Sequence, residues 1–526
     1  MLKIKDAFDK ECRRKMMNTF KNPVLPGFSP DPSVCAVGSD YYLVTSTFSY
    51  FPGVPIYHSR DLVNWKQIGN VLDRESQLKL EGVTHSQGIF APTIRYHEGV
   101  FYLITTNTIH GGNFIVTSTD PAGAWSEPYF LNHAPGIDPS LFFDEDGRCY
   151  YTGTRPNPRG ERHNGDWEVW LQELDLTTMQ LIGISKKIWK GALRGAIWPE
   201  GPHLYKKDGY YYLMIAEGGT GDDHAITIAR SKTVDGAYHG NPKNPIVTHR
   251  HLGASFPIQN VGHGDLVETP CGKWYLTCLA SRMYQGHSNL GRETFLAAVT
   301  WEKGWPVINA GHGKLLTEQE HQLPFYPQEM KSKYTFENGL DMAFLSLRTP
   351  QPNFYTIDSG KLILKTLPTK IHELATPSYL GIRQTSMYDK VVTKMKFKPE
   401  KGEEAGMALI QKNDHNVRLT YGKVEDKTVL QVIKCQGENE LDHVLMTTDL
   451  EADELYLKLH GDEQTLSFHY GTNGTDYTKL LDIDARFLST EVAGGFVGCT
   501  IGMYTSSNGK GAENRAEFEY LEWVNE

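Results

Sequence analysis

The 526-residue chain lacks an uninterrupted hydrophobic stretch at its N-terminus. Met1 to Phe20 mixes charged and apolar residues, a pattern that fits neither a signal peptide nor a membrane-spanning helix. We therefore expect a cytoplasmic protein that has no membrane partner.

Runs of basic residues and regularly spaced cysteines are missing as well. The formal net charge is -10 at pH 7, which argues against nucleic acid as a partner and makes a neutral ligand more suitable than an acidic polymer. The seven cysteines are irregularly spaced, and Cys271 and Cys278 lack the CxxC spacing of a zinc or redox site. We expect mostly buried, inert thiols and no organic cofactor.

Glycine and aromatic residues are abundant instead. The chain contains 50 Gly, 27 Tyr, 22 Phe and 10 Trp, a composition that suits an all-β protein with many turns. Its length suggests two or more domains.

Five segments repeat along the first 300 residues, each followed by a turn and an aromatic strand. Three of them hold one carboxylate between prolines or glycines, namely Ser29-Pro30-Asp31-Pro32-Ser33, Gly136-Ile137-Asp138-Pro139-Ser140 and Trp198-Pro199-Glu200-Gly201-Pro202. The other two are Phe90-Ala91-Pro92-Thr93 and Gly262-His263-Gly264-Asp265. A repeat of roughly 50 residues with several short strands is typical of propeller blades. We therefore predict a five-bladed β-propeller.

The repeated segment opens each unit, so we expect it to form the innermost strand of its blade. Asp31, Asp138 and Glu200 would then meet on the central axis. An isolated Asp-Pro is usually only turn chemistry, but repetition at equivalent positions favours a site. Carboxylates that face each other across a channel indicate glycoside hydrolysis.

Other acids receive a structural interpretation. Asp144, Glu145 and Asp146 are predicted to form a solvated hairpin tip. Glu217 lies in a predicted strand of the same blade as Glu200, but the neighbouring Gly218-Gly219-Thr220 favours a structural or wall position.

The blade pattern stops near Gly304, and alternating strand-length segments separated by glycine and asparagine turns follow further on. We predict a second domain that forms a β-sandwich. The predicted division is an N-terminal extension at 1–21, the propeller at 22–317, a linker at 318–330 and the sandwich at 331–526.

The chain resembles glycoside hydrolase family 43, specifically its two-domain β-xylosidases with a C-terminal jelly-roll or concanavalin-like β-sandwich. The likeness extends from Asn22 to the end of the chain. Its motifs are Gly27-Phe28-Ser29-Pro30-Asp31-Pro32-Ser33, Thr47-Phe48-Ser49-Tyr50-Phe51-Pro52-Gly53-Val54-Pro55-Ile56, Trp198-Pro199-Glu200-Gly201-Pro202-His203, Gly262-His263-Gly264-Asp265 and Leu290-Gly291-Arg292-Glu293-Thr294.

The resemblance implies roles for the three acids in an inverting mechanism. Asp31 would be the general base and Glu200 the general acid, roughly 6.5–9.5 Å apart so that a water fits between them. Asp138 would raise the pKa of Glu200 and orient it.

The resemblance also implies substrate-binding residues. The guanidinium of Arg292 would bind sugar hydroxyls, although a surface ion pair with the adjacent Glu293 is the alternative. Phe48 and Phe90 would form apolar walls, or else belong to the core. Phe496, in Gly494-Gly495-Phe496-Val497-Gly498, would close the pocket.

His263 occupies the place of a catalytic group in the fifth repeat, so it is predicted to point into the channel and contact substrate. By resemblance it would hold a Ca²⁺ ion, largely through water. The alternative is a purely structural histidine.

The expected substrates are short xylo-oligosaccharides, from which an exo-acting enzyme would release terminal β-1,4-linked D-xylose. Arabinose-capped oligosaccharides are the alternative substrates, for an α-L-arabinofuranosidase or a dual-specificity enzyme. A more remote alternative is a propeller that binds sugar without cleaving it. The resemblance also suggests a homo-oligomer.

Overall fold

The computed structural model describes residues 18–193, 197–321, 323–329, 331–437 and 439–524. Regular structure in these ranges is almost entirely β-sheet, with a 3₁₀ turn at Arg486–Leu488 and a short helix α1 at Thr490–Ala493. Within the same ranges no helix has the length and apolarity needed to cross a bilayer.

The first part of the described chain contains short strands at regular intervals. These strands are β1 (Asn18–Lys21), β2 (Ser33–Val37), β3 (Asp40–Val44), β4 (Tyr50–Phe51), β5 (Gly53–Ser59), β6 (Lys66–Leu72), β7 (Thr93–His97), β8 (Val100–Asn107), β9 (Gly112–Ser118), β10 (Tyr129–Phe130), β11 (Ile137–Phe143), β12 (Cys149–Pro156), β13 (Trp167–Asp175), β14 (Gln180–Trp189), β15 (Glu200–Lys207), β16 (Tyr210–Glu217), β17 (Ala225–Ser231), β18 (His239–Gly240), β19 (Val247–Thr248), β20 (Ile258–Glu268), β21 (Trp274–Arg282), β22 (Arg292–Glu302), β23 (Trp305–Ile308) and β24 (Glu318–His321).

These strands form the five predicted blades. The antiparallel sheets have the orders β2-β3-β5-β6, β7-β8-β9-β10, β11-β12-β13-β14, β15-β16-β17-β18 and β20-β21-β22-β23, and β19 also pairs with β17. The first strand of each sheet contacts the first strands of both neighbouring sheets, so β2, β7, β11, β15 and β20 close a ring around the axis. The predicted five-bladed propeller is confirmed.

Hydrophobic cores fill the wedges between adjacent blades. Blades 1 and 2 share one apolar cluster, and equivalent clusters lie between blades 2 and 3, 3 and 4, 4 and 5, and 5 and 1. Strands β1 and β24 pair with each other, so the end of the predicted extension meets the start of the predicted linker beside the last wedge, while residues 1–17 of the extension lie outside the described residues. Five of the cysteines, Cys35, Cys149, Cys278, Cys435 and Cys499, are buried free thiols, as expected.

The second part of the chain is the predicted β-sandwich. Its strands are β25 (Lys333–Thr335), β26 (Ser346–Leu347), β27 (Tyr355–Asp358), β28 (Lys361–Lys365), β29 (Ser378–Arg383), β30 (Lys390–Lys396), β31 (Glu404–Lys412), β32 (His415–Val424), β33 (Lys427–Gln436), β34 (His443–Asp449), β35 (Leu455–Asp462), β36 (Thr465–Gly471), β37 (Thr478–Asp484), β38 (Thr500–Ser506) and β39 (Arg515–Trp523).

Two sheets enclose one large apolar core. One sheet has the order β27-β28-β39-β30-β35-β36-β37, with β25 also paired to β39, and the other has the order β29-β38-β31-β32-β33-β34. Alternate side chains point inward, as in β35, where Leu455, Leu457 and Leu459 are buried.

The propeller and the sandwich form a continuous junction. Strand β26 pairs with β4, which joins Ser346 and Leu347 to blade 1. A mixed apolar cluster contains Phe28, Phe48 and Tyr50 from the propeller together with sandwich residues such as Tyr379. This junction brings a sandwich loop to the mouth of the propeller channel.

Candidate active site

One cavity on the propeller axis contains all eight residues that the sequence singles out. Four further residues, Ala91, Ile137, Thr220 and His224, also line it. The full lining is Asp31, Phe48, Phe90, Ala91, Ile137, Asp138, Glu200, Thr220, His224, His263, Arg292 and Phe496.

Irregular backbone in or just before the innermost strands turns these side chains toward the axis. Asp31, Asp138 and His263 have φ values of 55°, 54° and 38°, in the left-handed region that non-glycine residues rarely adopt. Register shifts interrupt the pairing of β11 after Ile137 and of β15 after Glu200, and β20 has similar shifts around Gly262. Such bulges redirect side chains and are common beside active sites.

The surroundings of Asp31 favour its ionised form. It is only 5% exposed, and it accepts hydrogen bonds from Ser46 Oγ at 2.6 Å and from Arg292 Nη1 at 3.1 Å. Burial alone would raise the pKa of Asp31, but the charge of Arg292, with His263 and the Ser46 bond, lowers it below its usual value. A carboxylate that stays charged can accept a proton from water.

Glu200 is held in the opposite state. Burial raises the pKa of Glu200 well above its usual value, and the nearby carboxylates of Asp138 and Asp31 raise it further. These surroundings favour the protonated form of Glu200, which can act as an acid.

Asp138 links the two acids electrostatically and through the backbone. Burial raises the pKa of Asp138 to about 6, and His263 opposes this shift. The amide of Gly201 donates to Asp138 Oδ2 at 3.1 Å, so Asp138 is tied to the chain next to Glu200. This contact supports the orienting role that the sequence predicts for Asp138.

Arg292 faces the cavity and not its neighbour in sequence. Its Nη1 donates to Asp31 and to Thr220 Oγ1, the latter at 3.1 Å, and its Nη2 donates to the carbonyl oxygen of Phe496 at 3.2 Å. Glu293 instead pairs with Arg282 at 2.7 Å. The surface ion pair between Arg292 and Glu293, which the sequence left open, is therefore absent.

Three phenylalanines form an apolar wall beside the guanidinium. Phe48 stacks on Phe496 with ring centroids 5.9 Å apart, and Phe90 meets both rings edge-on at 5.2 and 6.1 Å. Phe48 is fully buried, whereas Phe496 is 36% exposed. Phe496 thus lies at the rim of the cavity, on a sandwich loop.

The loop that carries Phe496 is fixed to the propeller by its backbone. The amide of Phe496 donates to Ser86 Oγ at 2.9 Å. At Gly291, an added Cβ would lie 2.8 Å from Gly498, so the loop needs glycine on both sides of this contact. The residues of this loop that surround Phe496 are therefore positioned before substrate binds.

His263 lies between two of the acids. Its Nδ1 is 3.9 Å from Asp31 Oδ1 and 4.0 Å from Asp138 Oδ2. Across the described ranges, no three His, Cys, Asp or Glu side chains form a group that could hold a metal. Calcium takes six to eight oxygen ligands, and the described side chains do not supply such a set at His263. Calcium at His263 therefore stays a prediction.

Thr220 and His224 are cavity residues that the sequence interpretation missed. Both lie between β16 and β17 in blade 4. Nδ1 of His224 is 2.9 Å from the carbonyl oxygen of Asn260, and burial lowers the pKa of His224 to about 3. The ring is therefore neutral.

A buried polar layer fills the axis beneath the acids. Asp265 on β20 accepts hydrogen bonds from Ser33 Oγ at 2.8 Å, Arg95 Nη1 at 2.7 Å and Tyr205 Oη at 2.6 Å. Arg95 also contacts His203 Nδ1 at 2.9 Å. Because these residues come from β2, β7, β15 and β20, this axial layer joins four blades one step further along the innermost strands than the acids.

Two acids outside the cavity are structural. Glu217 accepts hydrogen bonds from the amides of Ala192 and Leu193 and from Thr227 Oγ1, as the structural interpretation expects. Asp144 was expected in a solvated hairpin tip, but it is buried, because Lys206 and Tyr211 of blade 4 donate to it.

Comparisons with known proteins agree with this architecture. A profile of glycosyl hydrolases family 43 matches residues 20–306, and a profile of the beta xylosidase C-terminal concanavalin A-like domain matches residues 333–524. A xylosidase/arabinosidase of Butyrivibrio fibrisolvens is 52% identical over 510 residues, covering 95% of this chain and 98% of that protein. A non-reducing end alpha-L-arabinofuranosidase of Bacteroides ovatus is 36% identical over 527 residues, covering 96% and 94%.

A solved structure has the same overall fold. The crystal structure of xylan beta-1,4-xylosidase from Bacillus halodurans C-125 superposes with a TM-score of 0.90 at 36% identity. The match covers 96% of this chain and 100% of the other.

Proposed function

The chain belongs to glycosyl hydrolase family 43, and from this premise we propose that it is an exo-acting, inverting glycoside hydrolase that releases terminal β-1,4-linked D-xylose from xylo-oligosaccharides. The observation that carries the proposal is that one cavity places two carboxyl groups in opposite electrostatic surroundings. Asp31 has a lowered pKa and Glu200 a raised one, as a base and an acid that work at the same pH require.

The reaction is a single displacement. Asp31 takes a proton from a water molecule as the water oxygen bonds to the anomeric carbon. Glu200 gives its proton to the glycosidic oxygen as the bond between that oxygen and the anomeric carbon breaks. The water attacks from the face opposite the leaving group, so the configuration is inverted.

Arg292 and the aromatic wall would hold the sugar in place. The guanidinium offers planar donors to hydroxyls, and the apolar faces of Phe48 and Phe496 suit the C–H face of a sugar ring. Beyond the acids, the axial layer joins four blades by hydrogen bonds across the channel, which supports release of one terminal sugar at a time.

A second activity, release of α-L-arabinofuranose, is also proposed. The relatives named above include a xylosidase/arabinosidase and an alpha-L-arabinofuranosidase. The hydroxyls of β-D-xylopyranose and α-L-arabinofuranose can overlay, so one cavity can accept both sugars.

The test compares Glu200→Gln and Asp31→Asn on substrates with different leaving groups. Loss of the acid should reduce kcat/KM on xylobiose by about 10²–10⁴-fold and much less on an aryl β-D-xyloside, whose leaving group needs little protonation. Loss of the base should reduce both by similar factors. An aryl α-L-arabinofuranoside, assayed in parallel, measures the second activity.

Glu145→Gln is the matched control, because this exposed carboxylate lies outside the cavity, on the hairpin tip of blade 3, where it pairs with Lys206. It should match the wild type on every substrate. Wild-type hydrolysis of xylobiose by Glu200→Gln would contradict the assignment of the acid. Failure of the wild-type protein to hydrolyse any of the three substrates would favour a propeller that only binds sugar.

A further inference from the structure

One buried nitrogen in the cavity has no hydrogen-bond partner in the protein. Nε2 of His224 is almost completely buried and meets no donor or acceptor among the described residues, and the imidazole lines the cavity. The residue is only 1% exposed. Leaving a buried polar atom unpaired costs about 1–3 kcal/mol, so this atom calls for a ligand that the protein does not supply.

The protonation of the ring makes this nitrogen an acceptor. The carbonyl oxygen of Asn260 can only accept, so the 2.9 Å contact places the proton of His224 on Nδ1. Because the ring is neutral, Nε2 presents a lone pair. A hydroxyl group is a suitable donor for it.

The position of the ring is fixed by the strand behind it. A Cβ added at Gly262 would lie 2.1 Å from Nε2 of His224, so the imidazole packs directly on the backbone of β20. On the other side, the ring donates from Nδ1 to the carbonyl oxygen of Asn260. The acceptor is thus oriented before any ligand arrives.

A complementary donor lines the same cavity. Nε of Arg292 is also buried and unpaired within the part of the chain that the structure describes. An unpaired donor and an unpaired acceptor in two residues that line one cavity suit a ligand rich in hydroxyls, because each hydroxyl can both donate and accept.

We propose that Nε2 of His224 accepts a hydrogen bond from one hydroxyl of the terminal sugar, and that this bond makes the enzyme select sugars that carry a hydroxyl at that position. The proposal rests on the proposed function and adds a specificity-determining residue to it. A site built to hydrogen-bond a substrate hydroxyl discriminates against the analogue that lacks it, because the buried acceptor is then left unpaired.

The test combines His224→Asn with deoxygenated substrates. The amide nitrogen of asparagine can still donate to Asn260, but no atom reaches the place of Nε2. We measure kcat/KM for wild type and variant on an aryl β-D-xyloside and on its 2-, 3- and 4-deoxy analogues. His224→Asn should lower kcat/KM on the parent xyloside by about tenfold or more.

The decisive quantity is the coupling, in kcat/KM, between the substitution His224→Asn and the removal of one hydroxyl from the substrate. For one deoxy position, the loss seen in the wild type should largely disappear in His224→Asn, while the other two positions keep their wild-type losses. If all three losses are unchanged in the variant, the residue acts only structurally and the proposal is overturned. His224→Gln, whose amide oxygen can reach the place of Nε2, should recover part of the activity and gives the same comparison if His224→Asn does not fold.

Failure of the proposed function has a different outcome. If the wild-type protein does not hydrolyse the parent xyloside, dissociation constants of xylose and its deoxy analogues from calorimetry replace kcat/KM in the same comparison. Coupling at one position would then support the hydrogen bond without hydrolysis, and its absence would overturn it.

Discussion

At the scale of single residues, the chemistry depends on how one buried cavity keeps two carboxylic acids in different protonation states. Both carboxyl groups are buried away from water, and this desolvation raises the pKa of each. The difference comes from Arg292, which contacts Asp31 directly at 3.1 Å. For Glu200, the largest influence on the pKa after burial is the negative charge of Asp138, which raises it.

Asp138→Asn should therefore move the pH dependence of the reaction. Removing this negative charge makes ionisation of Glu200 easier, so the pKa of Glu200 falls and its acid form is lost at lower pH. The basic limb of the profile of kcat/KM against pH should shift toward lower pH. The measurement is this profile on xylobiose, compared with the wild type.

Asp146→Asn serves as the control for that profile. Asp146 lies on the hairpin tip of the same blade and pairs with Arg148 on the surface, so its removal should leave both limbs in place. A basic limb that stays unchanged in Asp138→Asn would show that Asp138 does not set the pKa of Glu200.

At the scale of strands and loops, the sequence predicts the parts that repeat. The innermost strands begin with similar proline- or glycine-flanked segments, so the blade number and the axial position of Asp31, Asp138 and Glu200 follow from periodicity. The pairing of β4 with β26 does not, because it joins two-residue strands that are 295 residues apart. Short, distant pairings leave no pattern in either strand.

The missed cavity residues have a topological explanation. Successive strands of a blade are antiparallel, so the turn after the second strand returns to the end of the blade where the first strand began. Phe48 follows β3 in blade 1 in this way, and Thr220 and His224 follow β16 in blade 4. Only the phenylalanine lies in a recognised motif. The same strand order in blade 4 predicts that Thr220 and His224 lie at this end of the blade.

The loop that carries Phe496 gives a prediction at this scale. Phe496→Ala removes the ring that packs on Phe48 but leaves the backbone bonds of the loop to Ser86 and Arg292. Loss of one aromatic contact of about 0.5–1.5 kcal/mol should lower kcat/KM up to about tenfold. The assay uses xylobiose, together with the midpoint of thermal unfolding, which should change little because the ring is partly exposed.

Val492→Ala is the control, since Val492 is an exposed apolar residue on α1 and does not line the cavity. It should match the wild type in both measurements. Unchanged kcat/KM in Phe496→Ala would show that the loop contributes only its backbone.

At the scale of the whole molecule, a buried arginine joins the two domains. Arg348 is fully buried, and it donates through Nε to the carbonyl of Val83 at 2.7 Å and through Nη1 to that of Ala375 at 2.9 Å. Its Nη2 donates to Asn413 Oδ1 at 3.0 Å. Val83 belongs to the propeller segment that also holds Ser86, so this arginine supports the wall of the cavity from the sandwich side.

Arg348→Met should destabilise the protein and weaken the junction. Methionine fills much of the volume but leaves the buried carbonyl of Val83 without its donor and removes one of the two contacts of Asn413 Oδ1, which keeps only His85 Nδ1. An unpaired buried acceptor costs about 1–3 kcal/mol. We expect the midpoint of thermal unfolding to fall by several degrees, with a smaller loss of kcat/KM. Arg486→Met, which removes an exposed arginine paired with Asp484, should change neither. An unchanged midpoint in Arg348→Met would contradict the role of this residue.

The axial layer around Asp265 has a consequence for the route by which substrate enters and products leave the enzyme. Since the far end of the channel is filled, the released sugar and the shortened chain must both leave through the opening by which the substrate entered. In the proposed reaction the freed monosaccharide lies beside the acids, between the axial layer and this opening. A new substrate cannot bind productively until that monosaccharide has left, so free monosaccharide competes with substrate for the same binding site.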